Sequence, residues 1–353
     1  GLYIRAPQVY FDILREAGDK LVPLGQVAEV RRGYTTGIND FFYLEPLGPG
    51  SVPGTVKVKN ARGWVGEIEE ACLRPVIKSP KEAKGLVADP QALKYRLFLP
   101  PIDPASDDPE RDLRTRFPLA YQYVKWGEMQ HTPQGQPWTL VPSVQGRKAW
   151  WLLGSPATPD FLLSRFVDKR FFIPIAQGFL VADTFFTGEG RNRTIAEILI
   201  EVLNSSLYAL EIEVKGRVNL GDGLLTFYGP DIIATLVPNI DSFSSKSHQK
   251  VFEAFAKLTT CPIKPIAQEV KQKDRRALDR AVLEALGLDP EVYLPRIYEG
   301  LVEMVEERLA LPKWRKKRQK QERRLSLEQV IERVRQEVLP GGLKPIAAFL
   351  PAG

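Results

Sequence analysis

The stretch LVPLGQVAEVRRGYTTGINDFFYL, from Leu21 to Leu44, places a polar connector between two apolar segments. The first segment predicts a short strand after a turn, and DFFYLEP predicts its partner strand, which ends at Pro46. The connector holds two arginines, a Tyr-Thr-Thr-Gly turn and an asparagine. Because these groups donate and accept hydrogen bonds, the connector is a candidate recognition loop between paired strands.

The remaining β structure is predicted from short apolar runs between turn residues. Residues 48–151 are rich in proline and glycine, which indicates irregular β structure with long loops. KRFFIPIAQGFLVADTFFTG predicts two strands, Phe171–Ile175 and Phe179–Phe185. EIEVKG, which starts at Glu211, predicts another strand ahead of a glycine-rich loop.

Helices are indicated by apolar spacing and by capping residues. Thr194 and Glu197 form a capping box ahead of an apolar stripe, and Asn204 ends that helix. Beyond residue 241 the chain is charged and keeps helical spacing, with Gly287 ending one helix and Ser326 capping another. The sequence therefore predicts an α+β fold. A domain over residues 1–240, with a mixed twisted β-sheet and long loops, precedes a helical region over residues 241–353.

The net charge of +6 is concentrated in one run. KWRKKRQKQERR, from Lys313 to Arg324, holds eight basic residues and one acid, so the rest of the chain sums to −1. Such a run is typical of a solvated helical face, and it also suits phosphate or partner contact. The high isoelectric point therefore says little about the domain over residues 1–240.

Several classes of protein and of site are disfavoured by what the sequence lacks. Cys72 and Cys261 are too few for a disulfide framework, which predicts a cytoplasmic protein, and no apolar run reaches the roughly 18 residues of a membrane span. The two histidines, His131 and His248, lie far from the cysteines in sequence and give little support to a zinc site or a catalytic triad. No nucleotide-binding loop and no G-x-S-x-G elbow is present. We expect no catalytic residue and no metal site.

Several polar loops carry groups that suit a nucleic acid. Arginine pairs with guanine edges and asparagine with adenine, while serine, threonine and lysine hold phosphates. The alternative is a set of ordinary solvated loops. The residues that we predict at or near DNA are Arg31, Arg32, Tyr34, Thr35, Thr36 and Asn39, with Lys78, Lys81, Arg147 and Lys148 as second choices.

The stretch from Leu21 to Leu44 resembles the start of the target recognition domain in adenine-N6 DNA methyltransferases of restriction-modification systems, notably the type IIG-like group. It is more distantly similar to half-domains of type I specificity subunits. Further landmarks follow in the family's order and cover most of residues 2–310. They are YIRAP, LRPVIKSPKE (Leu73–Glu82), YVKWGE (Tyr123–Glu128), GRKAWWLL (Gly146–Leu153), the segment Ile198–Ile232 and DRRALDRAVLEALGL (Asp274–Leu288).

The resemblance implies sequence-specific recognition of double-stranded DNA. Enzymes of the family carry a catalytic domain ahead of the recognition domain, with a loop for S-adenosylmethionine and an Asn/Asp-Pro-Pro-Tyr/Phe motif that holds a flipped adenine. The only Pro-Pro here, Pro100-Pro101 in FLPPID, does not match that motif, and the chain begins at Gly1 without methionine. We therefore expect a fragment that lacks the methyltransferase domain, binds duplex DNA, transfers no methyl group and holds no cofactor itself.

Two alternatives remain open at this point. The chain could be a protein-interaction module whose helical tail and basic run dock a partner subunit. It could also be a Mg²⁺-dependent nuclease, since Asp183 and an E-x-K made by Glu213 and Lys215 follow the order of a nuclease metal core. The nuclease interpretation requires these three side chains to converge and to be open to solvent.

Overall fold

A computed structural model describes residues 5–154, 159–218, 223–322 and 326–338. Within these residues the strands are β1 (Leu21–Pro23), β2 (Ala28–Arg32), β3 (Tyr43–Pro49), β4 (Thr55–Lys59), β5 (Val65–Glu69), β6 (Leu73–Ile77), β7 (Tyr95–Phe98), β8 (Phe161–Ser164), β9 (Phe166–Val167), β10 (Leu180–Val181), β11 (Phe185–Gly190), β12 (Arg217–Val218), β13 (Leu225–Thr226) and β14 (Leu236–Pro238).

The helices are concentrated in the second half of the chain. They are α1 (Gln8–Ala17), α2 (Leu24–Val27), α3 (Asn39–Phe42), α4 (Pro109–Arg116), α5 (Pro118–Glu128), α6 (Pro142–Gln145), α7 (Arg193–Leu203), α8 (Ser206–Lys215), α9 (Gly229–Ile233), α10 (Ser245–Leu258), α11 (Ile266–Glu269), α12 (Lys273–Leu286), α13 (Pro290–Glu322) and α14 (Leu327–Val338). None of the described helices has both the length and the apolar character needed to cross a membrane.

The largest sheet has the strand order β10-β6-β7-β3-β4-β5 and is mixed, because β10 runs parallel to β6 while the other pairs are antiparallel. A three-stranded antiparallel sheet has the order β2-β11-β8, and smaller sheets join β12-β13-β9 and β1-β14. Mixed sheets followed by a helical C-terminal region confirm the predicted α+β fold.

The predicted hairpin between β2 and DFFYLEP is wrong. The strand β2 pairs with β11, with Arg32 opposite Phe186, and β3 joins the large sheet instead. The reason lies in the apolar residues of the connector's far end. Phe41 and Phe42 are fully buried, and Phe41 stacks on Tyr123 with ring centroids 4.6 Å apart. Burying these rings forms the helical turn α3 and separates the two strands.

Two further strand predictions differ from the structure. Phe171–Ile175 forms no strand of its own, and Phe179–Phe185 is divided by a turn between β10 and β11. The segment Glu211–Lys215 is the end of helix α8, not a strand. Its carboxylates mimic the polar positions of an alternating strand, but Glu211 and Glu213 are buried and hydrogen-bonded inside the molecule.

The helical signals were more reliable than the strand signals. Gly287 ends α12 in the left-handed conformation at φ 75°, and Ser326 and Gln329 exchange the two hydrogen bonds of a capping box before α14. The helix α7 ends before Asn204 as predicted, but its cap is Asn192, which accepts a hydrogen bond from the backbone of Ile195.

Two hydrophobic cores lie in the described residues. One is built around the large sheet and α5, and it contains Trp138 and Trp151. The other joins α1, the sheet β2-β11-β8, α7, α8 and the helical region as far as Val305. The predicted division at residue 240 stays a prediction.

Candidate nucleic-acid interface

The polar connector after β2 is fixed by close backbone contact with the turn between β10 and β11. The Gly33 amide donates to the Phe185 carbonyl oxygen at 3.0 Å, and the Tyr34 amide donates to Val181 at 2.7 Å. A Cβ on Gly33 would lie 2.2 Å from the carbonyl oxygen of Ala182, so only glycine permits this approach. The contact places Arg32 beside the turn that carries Asp183.

Asp183 is the centre of a group of cationic side chains. Its Oδ2 lies 2.9 Å from Nη2 of Arg32, and its backbone oxygen accepts a hydrogen bond from Arg165 Nη1 at 3.2 Å. Lys78 is close enough for the negative charge of Asp183 to favour the protonated ammonium, and the Thr184 hydroxyl donates to the Lys78 carbonyl at 2.6 Å. We call Arg32, Lys78, Arg165 and Asp183 the Asp183 cluster.

The cluster connects parts of the molecule that are distant in sequence. Arg32 ends β2 and Arg165 follows β8, both in the three-stranded sheet, while Lys78 follows β6 of the large sheet. The side chain of Arg32 is 54% exposed, so its guanidinium remains open to solvent while it pairs with Asp183. A polar ligand can therefore reach it without rearranging the fold.

Lys78 lies between two aromatic rings and borders two cavities. Its ammonium is 4.0 Å from the ring centroid of Tyr43 and 4.5 Å from that of Tyr95, which favours a cation there. Burial is the main cause that lowers the pKa of Lys78, and the nearby Glu82, Asp40 and Asp183 oppose it. A cavity of about 230 Å³ lies on one side. A more apolar cavity of about 360 Å³ lies on the other.

Further predicted residues border these cavities. Asn39 lines the smaller cavity together with Lys78 and Lys59. Lys81 lines the larger one beside Arg170, whose Nη2 donates to the Pro80 carbonyl oxygen at 3.2 Å. The structure thus places Lys78, Lys81 and Asn39 on two cavities that share Lys78, while Arg32 joins Lys78 through Asp183.

The other exposed candidates do not join this cluster directly. Arg31 is exposed on the strand next to Arg32 and forms an ion pair with Glu29 at 2.8 Å. Thr35 is exposed in the same connector. Lys148 is exposed beside the core of the large sheet, and its ammonium lies 3.5 Å from the carbonyl oxygen of Ala105.

Three predicted contact residues have internal partners. Thr36 is buried and donates to Asn39 Oδ1 at 2.7 Å. Arg147 donates to the carbonyl oxygens of Thr36 at 2.8 Å and Trp150 at 3.1 Å, and burial lowers its pKa. The Tyr34 hydroxyl donates to the Gly154 carbonyl, and burial raises the pKa of Tyr34. Tyr34 and Arg147 hold the connector against the core of the large sheet, because both donate to backbone carbonyls, and Thr36 fixes Asn39 within the connector.

The structure does not provide the open acid group that the nuclease alternative requires. Glu213 is 2% exposed, and its carboxylate accepts hydrogen bonds from Arg308 Nε at 2.7 Å and Nη2 at 3.1 Å. Asp183 is engaged by Arg32 in a different cluster. Within the described ranges, no three His, Cys, Asp or Glu side chains gather closely enough to hold a metal ion.

Sequence reasoning missed Arg165 and the two tyrosines that flank Lys78. Arg165 lies 5.6 Å from the ring centroid of Phe166 and 5.9 Å from that of Phe186. A cation within a run of aromatic residues, SRFVDKRFF, was the available signal. The contacts of Lys78 with Tyr43 and Tyr95 could not be predicted from the sequence, since β3, β6 and β7 are separated in the chain.

The C-terminal helix α14 exposes apolar side chains, as the protein-interaction alternative would require. Leu327, Ile331 and Val334 are each more than half exposed on α14. The basic run lies partly in α13, which extends to Glu322, and its last residues, Arg323 and Arg324, lie outside the described residues. The alternative therefore stays open.

Neither a protein-family model nor a curated protein matches the sequence. Among solved structures, the chain is similar to one described as the type IIG restriction endonuclease BpuSI, with a TM-score of 0.55 and 14% sequence identity. The match covers 86% of this chain and 33% of that chain, so this chain spans about one third of that enzyme's length. A likeness at this identity shows a shared fold.

Proposed function

We propose that the chain is the DNA target recognition part of a type IIG-like adenine-N6 DNA methyltransferase of a restriction-modification system. The shared fold with part of a type IIG restriction endonuclease supports this proposal. The observation that carries it is the Asp183 cluster, in which the exposed Arg32 lies together with the half-buried Lys78 and Arg165.

The chemistry of the Asp183 cluster suits the surface of a duplex. Arginine presents a planar fork of donors that matches the O6 and N7 atoms of guanine, and lysine is a compact cation for phosphate. An exposed ion pair such as Arg32–Asp183 contributes about 0–1 kcal/mol, so a nucleic acid can displace the carboxylate at low cost. Asp183 would hold the guanidinium in place until DNA binds.

Recognition and chemistry would be divided between two domains. This chain would bind the duplex and read base edges, whereas a separate methyltransferase domain would bind S-adenosylmethionine and the flipped adenine. No residue of the Asp183 cluster is then required to take part in methyl transfer. The chain by itself should bind double-stranded DNA and leave it chemically unchanged.

Substitutions in the Asp183 cluster test this proposal. Arg32→Ala and Lys78→Ala should each weaken binding to duplex DNA about tenfold, because each removes one contact with a base or a phosphate. Asp183→Asn should tighten binding, since it removes the negative charge beside both cations. Fluorescence anisotropy with a labelled random-sequence duplex, at several salt concentrations, measures these changes. Each lost phosphate contact should reduce the salt slope by about one.

The matched control is Arg280→Ala. Arg280 is 46% exposed and pairs with Glu291 at 2.5 Å, so it resembles Arg32 in exposure and partner but lies in the helical region. Its substitution should leave DNA affinity unchanged. Arg32→Ala and Lys78→Ala should both keep native circular dichroism. If they then bind DNA as tightly as wild type, the Asp183 cluster is not part of the DNA interface.

A further inference from the structure

A further cleft, of about 650 Å³, lies between helices α7 and α10. Its walls are largely apolar, with Ile198 on α7 and Phe255 on α10. Phe252 and Val87 also line it and are 56% and 54% exposed, so apolar surface continues to its rim. This volume is within the usual range for ligand sites.

Glu201 lines this cleft and lacks a full set of partners. The residue is only 4% exposed, and its Oε2 has no hydrogen-bond partner among the described residues. Burial, with a smaller contribution from Glu197, raises the pKa of Glu201 to about 8. A buried carboxyl oxygen without a partner is unfavourable, so a ligand that supplies a donor would be stabilised there.

The other ionisable groups of the cleft define the charge of such a ligand. Glu197 lies one turn before Glu201 and also lines the cleft, as does His248 from α10. His248 Nε2 lies 3.3 Å from the Ile240 carbonyl oxygen. No lysine or arginine is among the described residues that line the cleft. The cleft therefore combines apolar walls with two acidic side chains, which suits a cation and disfavours an anion.

We infer that this cleft binds a primary ammonium group carried on an apolar body, with Glu201 accepting a hydrogen bond from the ammonium. The apolar body would contact Phe252 and Phe255, and Glu197 would contribute a second negative charge at the entrance. The ammonium can belong to a free amine or to a lysine side chain of another protein. This inference does not depend on the proposed DNA-binding function, because an acidic cleft repels phosphate.

Three indole compounds of similar shape but different charge distinguish the contribution of the ammonium from that of apolar contact. Tryptamine carries an ammonium, tryptophol a hydroxyl and indole-3-acetate a carboxylate. Isothermal titration calorimetry at about pH 9, where the Glu201 carboxyl is ionised and an alkyl ammonium still carries its proton, should show that tryptamine binds the full chain at least about tenfold more tightly than tryptophol, because a hydrogen bond between charged groups is the stronger one. Indole-3-acetate should bind most weakly. Equal affinities for tryptamine and tryptophol would overturn the inference.

Variants assign the effect to Glu201. Glu201→Gln should weaken tryptamine binding about tenfold and leave tryptophol binding unchanged. Glu197→Gln is the matched control on the same helix, and its loss should be smaller because Glu197 is 61% exposed and already pairs with Arg193. Phe252→Ala, at an exposed position that the fold tolerates, should weaken both ligands. Tryptamine binding that is unaffected by Glu201→Gln would contradict the assignment.

A peptide distinguishes the two sources of the ammonium. Acetyl-Leu-Lys-Leu-amide is compared with acetyl-Leu-Gln-Leu-amide and with tryptamine in the same assay. Tighter binding of the lysine peptide than of tryptamine identifies a protein side chain, and the reverse order identifies a free amine. Both orders support an ammonium site. If the lysine peptide and tryptamine both fail to bind, the inference is wrong.

Discussion

Arg32 and Thr36 lie four residues apart in one connector, and their environments are opposite. Arg32 is 54% exposed beside Asp183, whereas Thr36 is 1% exposed and bonded to Asn39. Both residue types bind DNA in known complexes, so their chemistry alone could not separate them. The separation comes from Gly33, whose backbone approaches Ala182 so closely that the chain turns inward directly after Arg32.

Glu201 gives a prediction about stability at the scale of a single residue. In the unfolded chain a glutamate titrates near pH 4.5, whereas burial raises the pKa of folded Glu201 to about 8. Between these values the folded state binds more protons than the unfolded state, so this residue lowers stability as pH rises through that window. Glu201→Gln removes the dependence. At pH 7 the variant should be more stable than wild type by up to roughly 3 kcal/mol.

Urea denaturation at pH 5, 6.5 and 8 measures this difference. The gap between Glu201→Gln and wild type should increase with pH and level off above about pH 8. The groups that share the cleft, Glu197 and His248, are the same in both proteins. Glu197→Gln, at an exposed carboxylate, should change stability little at any of these pH values. A gap that is constant with pH would show that Glu201 is ionised in the folded protein.

At the scale of elements, helix α13 is attached to helix α8 by a buried ion pair. Arg308 is 1% exposed and donates to both carboxylate oxygens of Glu213, and it also donates to the backbone oxygens of Gly223 and Asp168. Arg308→Met should destabilise the chain by about 3–5 kcal/mol, because it leaves the buried Glu213 carboxylate with only the 3.5 Å contact from Nη2 of the partly exposed Arg5. Thermal or urea denaturation measures the loss.

The double variant Arg308→Met with Glu213→Gln provides the control for that prediction. Without a charge on residue 213, the penalty for a buried carboxylate that has lost Arg308 disappears, so the double variant should be more stable than Arg308→Met alone. If both variants lose the same stability, the loss comes from the helix contacts of Arg308 and not from the isolated carboxylate.

Elements whose signals are local could be predicted from the sequence. The helices with apolar stripes, the Gly287 termination and the capping box at Ser326 depend on residues within a few positions of one another. The pairing of β2 with β11 could not be predicted, since it joins residues more than 150 positions apart and is decided by which rings the cores bury. The strand predicted from Glu211 was wrong for a related reason. The helix that forms there is buried on all sides, and a partner of its buried Glu213 is Arg308 on a distant helix, so the sequence shows no apolar stripe with a polar face.

At the candidate site, too, local sequence indicated single residues but not which of them meet. Arg32 and Lys78 could be chosen as cations within polar loops, but their meeting at Asp183 depends on the packing of the two sheets. Arg165 was missed because the aromatic residues around it are typical of the end of a buried strand and do not indicate a binding loop. Arg147 donates to two backbone carbonyls in the fold, which its place beside two tryptophans in sequence did not indicate, and its contact with DNA stays a prediction.

At the scale of the whole molecule, two of the surfaces in the described residues differ in charge. The Asp183 cluster presents Arg32, Lys78 and Arg165 beside the larger sheet. The cleft between α7 and α10 is apolar and acidic. The fold resembles part of a longer type IIG restriction endonuclease, and the proposed function assigns DNA to the surface of the Asp183 cluster. Its second surface would be free to bind an amine or a lysine.

Selection from a library of duplexes with a randomised centre tests the central claim most directly. The chain is incubated with the library at a fixed salt concentration, and the bound duplexes are sequenced. Our account predicts that one short sequence is enriched by the wild type and by Arg280→Ala, and that the enrichment is lost when Arg32 and Lys78 are both changed to alanine. No enriched sequence with wild type, or the same enrichment with the double variant, would contradict it.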